Sequence, residues 1–208
     1  MAIVQIGSQY WTKENLAVES FQDGTPITEC SSSEQWAELS TTNTPAWCYY
    51  NFDPSLEEEY GKLYNYYVIS SSKEIAPVGF RVPALSDFNT LTSALGGTTV
   101  AGHKMKNTTN WNTIRRQSGN GSNESRFTGN PSGYIKENGE FWDFGWSANY
   151  WTTNSGSTES TSVRLYWGNR ETVNIPANIH MGLAIRLVYT GNSGTYTGSM
   201  GYNPAIDF

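Results

Sequence analysis

Cysteine is scarce in this chain. Cys30 and Cys48 are the only two in 208 residues, which excludes a dense disulfide framework. They could form one disulfide or remain two thiols, and spacing alone does not choose. Histidine is equally scarce, with His103 and His180 as the whole supply. Two Cys and two His scattered along the chain do not make a four-ligand zinc site. Long apolar runs are missing too: hydrophobic residues make up 37%, and no stretch approaches the ~18 residues of a membrane span. Basic charge is in deficit, with 13 Lys and Arg against 19 Asp and Glu for a net charge of −6. That excludes a broad phosphate-binding surface, so no nucleic-acid partner is expected. The opening MAIVQIGSQYW lacks a basic region followed by an apolar stretch, so no secretory leader is expected.

Catalytic motifs are absent as well. No GxSxG, HExxH or P-loop occurs, and neither histidine adjoins a Ser or Cys elbow. His103 sits in AGHKMK, and His180 is expected to open the last strand. The three glutamates of LEEEYG (56–61) read as a solvated loop. Without an assembled acid, base and nucleophile, the chain is expected not to be an enzyme.

What is present in excess is rings: 8 Trp, 13 Tyr and 8 Phe. Few aliphatics with many aromatics predict a β-rich, loop-rich domain whose core is built from rings. The length suits one domain plus a tail. Residues 3–18 read as extended with a turn near Gly7. SSSEQWAEL predicts a short helix capped at Ser31 with Glu34 in reciprocal position, its Trp36 and Leu39 on one face. KLYNYYVIS (62–70) reads as a buried strand. The clearest helix is 86–95, with Ser86 as cap, Phe88, Leu91 and Leu95 on one face, and Gly96-Gly97 as the stop. Residues 100–106 add a helical turn. From 107 to 132 the chain is an ordered loop punctuated by Trp111, Ile114 and Phe127. Strands are expected at 133–137, 140–144, 148–153, 162–167, 171–175 and 181–189. The Gly-rich stretch 190–208 reads as a tail outside the core. Helices early and antiparallel strands late mean α+β with segregated elements.

Nine short motifs occur in a recognisable order: IGSQYWTKENLAV (6–18), DGTPI (23–27), PAWCYYNFDP (45–54), YGKLYNYYVI (60–69), APVGFRVPALSDFNTLTSALGG (76–97), AGHKMKNTTNWN (101–112), NGSNESRFTGNPSGY (120–134), GWSANYWTT (145–153) and AIRLV (184–188). This order resembles the Fibrobacter succinogenes major paralogous domain family, over roughly residues 5–189. The resemblance implies a C-type-lectin-like fold: short helices plus antiparallel strands with long loops, in a domain of residues 1–189 followed by the tail 190–208. Where family members often end in Arg-Cys-Val, this chain has Arg186-Leu187-Val188, so a disulfide to that last Cys is not available.

The motifs also assign roles. Arg81 in GFRVP and Arg186 in LAIRLV, each set among apolar residues, are expected to cap carbonyls or meet a buried carboxylate. Trp11, Trp47, Trp111 and Trp151 are expected to be core rings with each N–H satisfied by backbone. Trp142, Trp146 and Trp167 are the rings left over. By resemblance to lectin-like folds, ligand is carried on the loops at 142–146, 154–161 and 167–178. Trp142, Asp143, Trp146, Trp167, Asn169 and Arg170 are therefore the expected ligand-binding residues. No cofactor is expected. A calcium ion would have to draw on the Asn and Glu oxygens of NGSNES (120–125), with Asp143 joining if the fold brings it close, which is too little charge for a tight site.

Missing export features set against an exported family favour a phage-borne member. The expected function is a non-catalytic virion surface protein, a fibre or capsid decoration, with host-surface or glycan binding. Its expected partners are other virion proteins or further copies of itself. The alternative is a carbohydrate- or protein-binding module of a bacterial cell surface.

Overall fold

The computed structural model, which describes residues 1–155 and 159–191, begins with the hairpin expected around Gly7. Strands β1 (Ile3–Ile6) and β2 (Gln9–Thr12) pair antiparallel, and Gly7 takes the φ of +60° that the turn needs. Next come β3 (Thr28–Glu29) and helix α1 (Ser33–Thr41). The cap lies one residue later than expected. Ser32 Oγ accepts from the Gln35 amide at 3.2 Å, and Gln35 Oε1 accepts from the Ser31 amide at 2.9 Å. Trp36 is buried and Leu39 half-buried, on the face the periodicity indicates.

After β4 (Ala46–Cys48) and α2 (Glu57–Tyr60), the expected strand at 62–70 is corrected. It is two residues of β5 (Leu63–Tyr64) followed by helix α3 (Tyr66–Ser70). Asn65 causes the break. Its Oδ1 accepts from the Ala46 amide at 3.1 Å and its Nδ2 donates to the Thr44 carbonyl at 2.8 Å. The side chain replaces a backbone ladder partner, and the chain turns into a helix that still buries Tyr66 and Val68.

Strand β6 (Phe80–Arg81) precedes α4 (Leu85–Ala94) and α5 (Thr98–Met105). Helix α4 is capped at Ala84, not Ser86, because Asp87 Oδ2 accepts from the Ala84 amide at 2.7 Å. Asp87 is also the carboxylate that Arg81 was expected to find, through bonds of 2.6 and 2.7 Å. Burial works against the Asp87 charge, but Arg81 and the Ala84 amide outweigh it and hold the carboxyl below the usual range.

The remaining strands are β7 (Thr113–Ile114), β8 (Gln117–Ser118), β9 (Ser132–Ile135), β10 (Phe141–Phe144), β11 (Ser147–Ser155), β12 (Glu159–Tyr166), β13 (Thr172–Asn178) and β14 (Val188–Tyr189). The larger sheets run β1-β2-β14-β6 and β10-β9-β11-β12-β13, and most of their pairings are antiparallel. The chain is α+β. Strand β14 pairs with β2 and β6, so the end of the domain is stitched to its beginning.

The expected strand at 181–189 also needs correction. Only its last two residues join the sheet regularly, while Leu183 and Ala184 make single bridges to Tyr64 and Tyr150. His180 therefore sits in a turn after β13 instead of opening a strand. Every residue from Leu183 to Val188 is buried. The alternation does not separate core from water; it separates two cores. Leu183, Ile185 and Leu187 join Trp47, Tyr66 and Trp151. Ala184 and Val188 join Trp11, Phe88, Phe127 and Tyr150. A third cluster holds Trp36 with Cys30 and Cys48, which are free thiols. Burial pushes the Cys30 thiol up to about 12 and Cys48 well above its ordinary value, so both stay protonated and inert.

The four family-motif tryptophans are buried as expected, but their N–H groups differ. Trp111 donates to the Gly129 carbonyl and Trp151 to the Tyr64 carbonyl. Trp11 instead donates to the side chain of Gln9, and the buried Trp47 N–H has no partner among the described residues.

Arg186 is 1% exposed and makes no carboxylate salt bridge among the described residues. It donates to Asn15 Oδ1 at 2.6 Å and to the carbonyls of Thr12, Phe127 and Thr128 at 2.8, 2.7 and 3.0 Å. Arg186→Met would leave three carbonyls and an amide oxygen without donors. It is expected to cost about 3 kcal/mol or more in urea unfolding. Arg186→Lys should rescue little, because an ammonium cannot span the same fork.

Candidate functional site

Of the six expected ligand residues, three line one cleft. Trp167, Asn169 and Arg170 belong to the turn between β12 and β13, and they face the end of α5 and the residues after β7. The cavity is about 410 Å³, within the range of small-molecule sites. Sequence reasoning missed its other wall: His103 and Lys106 from α5, and Gln117, Ser118 and Asn120 from the long loop. These residues are polar, fall in different segments and share no spacing. Residues 172–178, expected in the ligand loop, form β13 instead.

Close backbone approach assembles the cleft. A Cβ on Gly102 would run into the Glu171 carbonyl, and one on Gly119 into the Trp167 ring. The His103 amide donates to the Arg170 carbonyl at 3.0 Å. The α5 carbonyls left open at its C-terminus are filled by the loop: Ser122 N–H bonds His103 at 2.9 Å and Gly129 N–H bonds Met105 at 2.8 Å.

Lys106 holds the turn itself. It is 2% exposed, and its ammonium donates to the carbonyls of Tyr166, Trp167 and Asn169 at 3.1, 3.3 and 2.9 Å. It also lies 4.9 Å from the Trp111 ring centroid. Burial, with repulsion from Arg170, lowers its pKa to about 8. Burial together with Arg170 and Lys106 also lowers the pKa of His103, against a weaker opposing pull from Glu124. Asn169 Oδ1 is buried and has no hydrogen-bond partner among the described residues.

The other three expected residues lie elsewhere. Trp146 packs edge-on against Trp167, centroids 5.4 Å apart, and braces the turn without lining the cleft. Trp167 is half-buried against the second core cluster, and its N–H donates to the Asn112 carbonyl. Asp143 pairs with Arg164 at 2.8 Å. Its positive φ of 62° interrupts the alternation of β10. Phe141 and Phe144 therefore both reach the Tyr50 ring, at 4.8 and 4.5 Å, while Trp142 turns outward. Trp142 is 45% exposed, with Lys136 Nζ 3.8 Å from its ring centroid. Residues 156–158 of the expected loop 154–161, and 192–208 of the tail, lie outside the described residues.

The oxygens considered for calcium are engaged elsewhere. Asn120 Oδ1 accepts from the Trp111 amide, and Asn123 Oδ1 from the Thr128 amide. Glu124 faces Lys104 at 3.7 Å and Asp143 is held by Arg164. This set does not fit a calcium ion. A second cavity of about 560 Å³ is lined by Glu14, Glu58, Glu59 and Asn107. Its amides are already paired, Asn107 with Asn130 and Asn130 with the Glu59 carbonyl.

Tryptophan truncations should separate the rings. Trp151→Ala is expected to cost about 3–5 kcal/mol and Trp142→Ala less than about 1, with Trp167→Ala between them, in chemical denaturation. Lys106 gives a pH test. Its folded pKa lies below its unfolded value, so between about pH 8 and 10 the unfolded chain holds a proton that the folded chain has released. Stability from this group rises across that window, and the gap between wild type and Lys106→Met should widen. A narrowing gap would mean that the three carbonyl bonds outweigh burial and hold the proton on.

None of the curated proteins and none of the solved structures matches the chain. The model of the Fibrobacter succinogenes major domain matches residues 4–189, nearly the whole described fold, so the chain belongs to that family.

Proposed function

We propose that this chain is a non-catalytic, lectin-like recognition domain that binds a saccharide in the cleft between α5 and the β12–β13 turn, and that it is displayed on a virion or, in the alternative, on a bacterial cell surface. The observation that carries the binding reading is the unpartnered, buried Asn169 Oδ1. A buried acceptor without a donor costs free energy that a ligand hydroxyl would recover. Around it stand the polar side chains of Gln117, Ser118 and Asn120 and the Trp167 ring, the mixture of hydrogen-bonding groups and apolar surface that a sugar ring uses.

Supporting the lectin-like reading are the first and last described strands meeting in one sheet, helix α4 packed on that sheet through Phe88 and Trp11, and a long loop region leading into the late antiparallel strands. The non-catalytic reading draws on the placement of the histidines. His180 Nδ1 is hydrogen-bonded to the Tyr67 hydroxyl at 3.0 Å, and the described residues that line the cleft with His103 include no Asp, Glu or Cys to work with it. The display reading draws on the polar, acidic composition.

A glycan array followed by calorimetry on the hits tests the binding site. Asn169→Ala and Gln117→Ala are expected to weaken saccharide binding at least tenfold while shifting the melting temperature little. Unchanged affinity in Asn169→Ala would reject the cleft. Loss of binding in Trp142→Ala alone would move the site to the outer face of β10.

A further inference from the structure

We infer that the saccharide is anionic, a carboxylate- or sulfate-bearing glycan gripped by Arg170 at the cleft and by Arg115 and Arg116 at the tip of the β7–β8 hairpin. This rests on the saccharide reading of the cleft and adds the charge of its ligand.

The first observation is local charge. The whole chain carries −6, yet the described residues lining this cleft include His103, Lys106 and Arg170 and no Asp or Glu. Burial, and after it the charge of Arg170, lowers the pKa values of both His103 and Lys106, so positive charge at this cleft is already disfavoured by its neighbours. An anion in the cleft would offset that penalty. Lys106 has its N–H groups directed at three carbonyls, so it supplies field, and Arg170, which is exposed, supplies donors.

The second observation is independent. Strands β7 and β8 are joined by a two-residue turn, with Ile114 opposite Gln117. The turn residues, Arg115 and Arg116, have φ of 47° and 69°. Two consecutive left-handed residues are the turn geometry that selects Asn-Gly, and Arg is rarely found in either place. Both arginines are exposed, and Ile114 beside them is 40% exposed. Gln117, the residue after Arg116, lines the cleft. A turn that holds two arginines in a conformation unsuited to them, on the hairpin whose Gln117 and Ser118 line the cleft, points to a use for their charge.

A polynucleotide is also anionic. The few cations here form a compact cluster on an acidic protein, where a nucleic-acid surface would be a basic stripe following a phosphate backbone.

The test is calorimetric titration with oligogalacturonate, its methyl ester, heparin-derived oligosaccharides, a neutral glucan oligosaccharide and single-stranded DNA, alongside an array of acidic and neutral glycans. At least one acidic glycan should bind ten or more times tighter than its neutral counterpart and weaken as salt is raised. Arg170→Gln should reduce that affinity about tenfold. The double variant Arg115→Asn/Arg116→Gly should also reduce it about tenfold while raising the melting temperature, because Asn-Gly fits the turn. Neutral glycans bound as well as acidic ones, with no effect of the hairpin variant, would overturn the anionic inference and leave the cleft reading standing. No glycan bound at all would overturn both. DNA bound tighter than every glycan would reject the glycan in favour of a nucleic acid.

Discussion

The structure depends on one buried guanidinium. Arg186 lies on the last interior pass among the described residues, with Leu183, Ile185 and Leu187 turned to one ring cluster and Ala184 and Val188 to another. It reaches back to Thr12 and Asn15 at the first hairpin and across to Phe127 and Thr128 in the long loop. A charge buried without a carboxylate is tolerable only if dipoles replace its hydration, and three carbonyls and an amide oxygen do so here. The Phe127 ring, 4.4 Å from the guanidinium carbon, adds its face. Burial still lowers the pKa of the group, but an arginine remains charged under all ordinary conditions. Three segments distant in sequence are thus fixed by a residue that cannot switch off.

The long loop accepts an unfavourable backbone in return. Asn123, Arg126 and Thr128 all have positive φ, which is most costly for the β-branched threonine. Asn123 holds the Thr128 amide and hydroxyl, and Arg186 holds the Thr128 carbonyl. From this fixed loop, Gly129 bonds the Met105 carbonyl and Trp111, setting the end of α5. Lys106 then grips the β12–β13 turn. The contrast with Lys62 is instructive. That ammonium is also buried, but Glu57 and Glu19 lie at 2.8 and 3.2 Å. Burial opposes its charge, and the carboxylates overcome burial and raise its pKa. Lys106 has carbonyls and a ring face but no carboxylate among the described residues, and its pKa falls.

What could be read from sequence divides along the same physical line. Local chemistry was legible. Gly7 forced its turn, the apolar period and Gly96-Gly97 delimited α4 to within a residue, and an arginine among apolar residues at position 81 found its carboxylate in Asp87. Long-range substitution was not. Asn65 ends a strand because its side chain reaches Thr44 and Ala46, which period alone cannot anticipate. Residues 183–188 alternate as a half-exposed strand would, yet both sides are interior. Among the leftover rings, Trp167 and Trp146 proved to be bracing. Trp142 faces out because Asp143 adopts a positive φ, a conformation that nothing in FWDFG specifies. The cleft itself was half legible: the turn residues Trp167, Asn169 and Arg170 stood out as polar and aromatic, whereas His103, Lys106 and Gln117 reach it from segments without a shared pattern.

The way the turn is held bears on how a site can work here. Lys106 bonds the carbonyls of Tyr166, Trp167 and Asn169, and the His103 amide bonds that of Arg170. Carbonyls are common to every residue type, so the path of this turn is set largely through its backbone. Trp167 is the exception, because its ring fills the gap over Gly119. The side-chain oxygen at 169 and the guanidinium at 170 are not what holds the turn: Asn169 Oδ1 is buried with no partner among the described residues and Arg170 is exposed. Backbone fixed from beneath, with side chains uncommitted above, is the arrangement that gives a loop the precision of a scaffold. The saccharide proposed above would then bind here without the ordering cost that a mobile loop would incur.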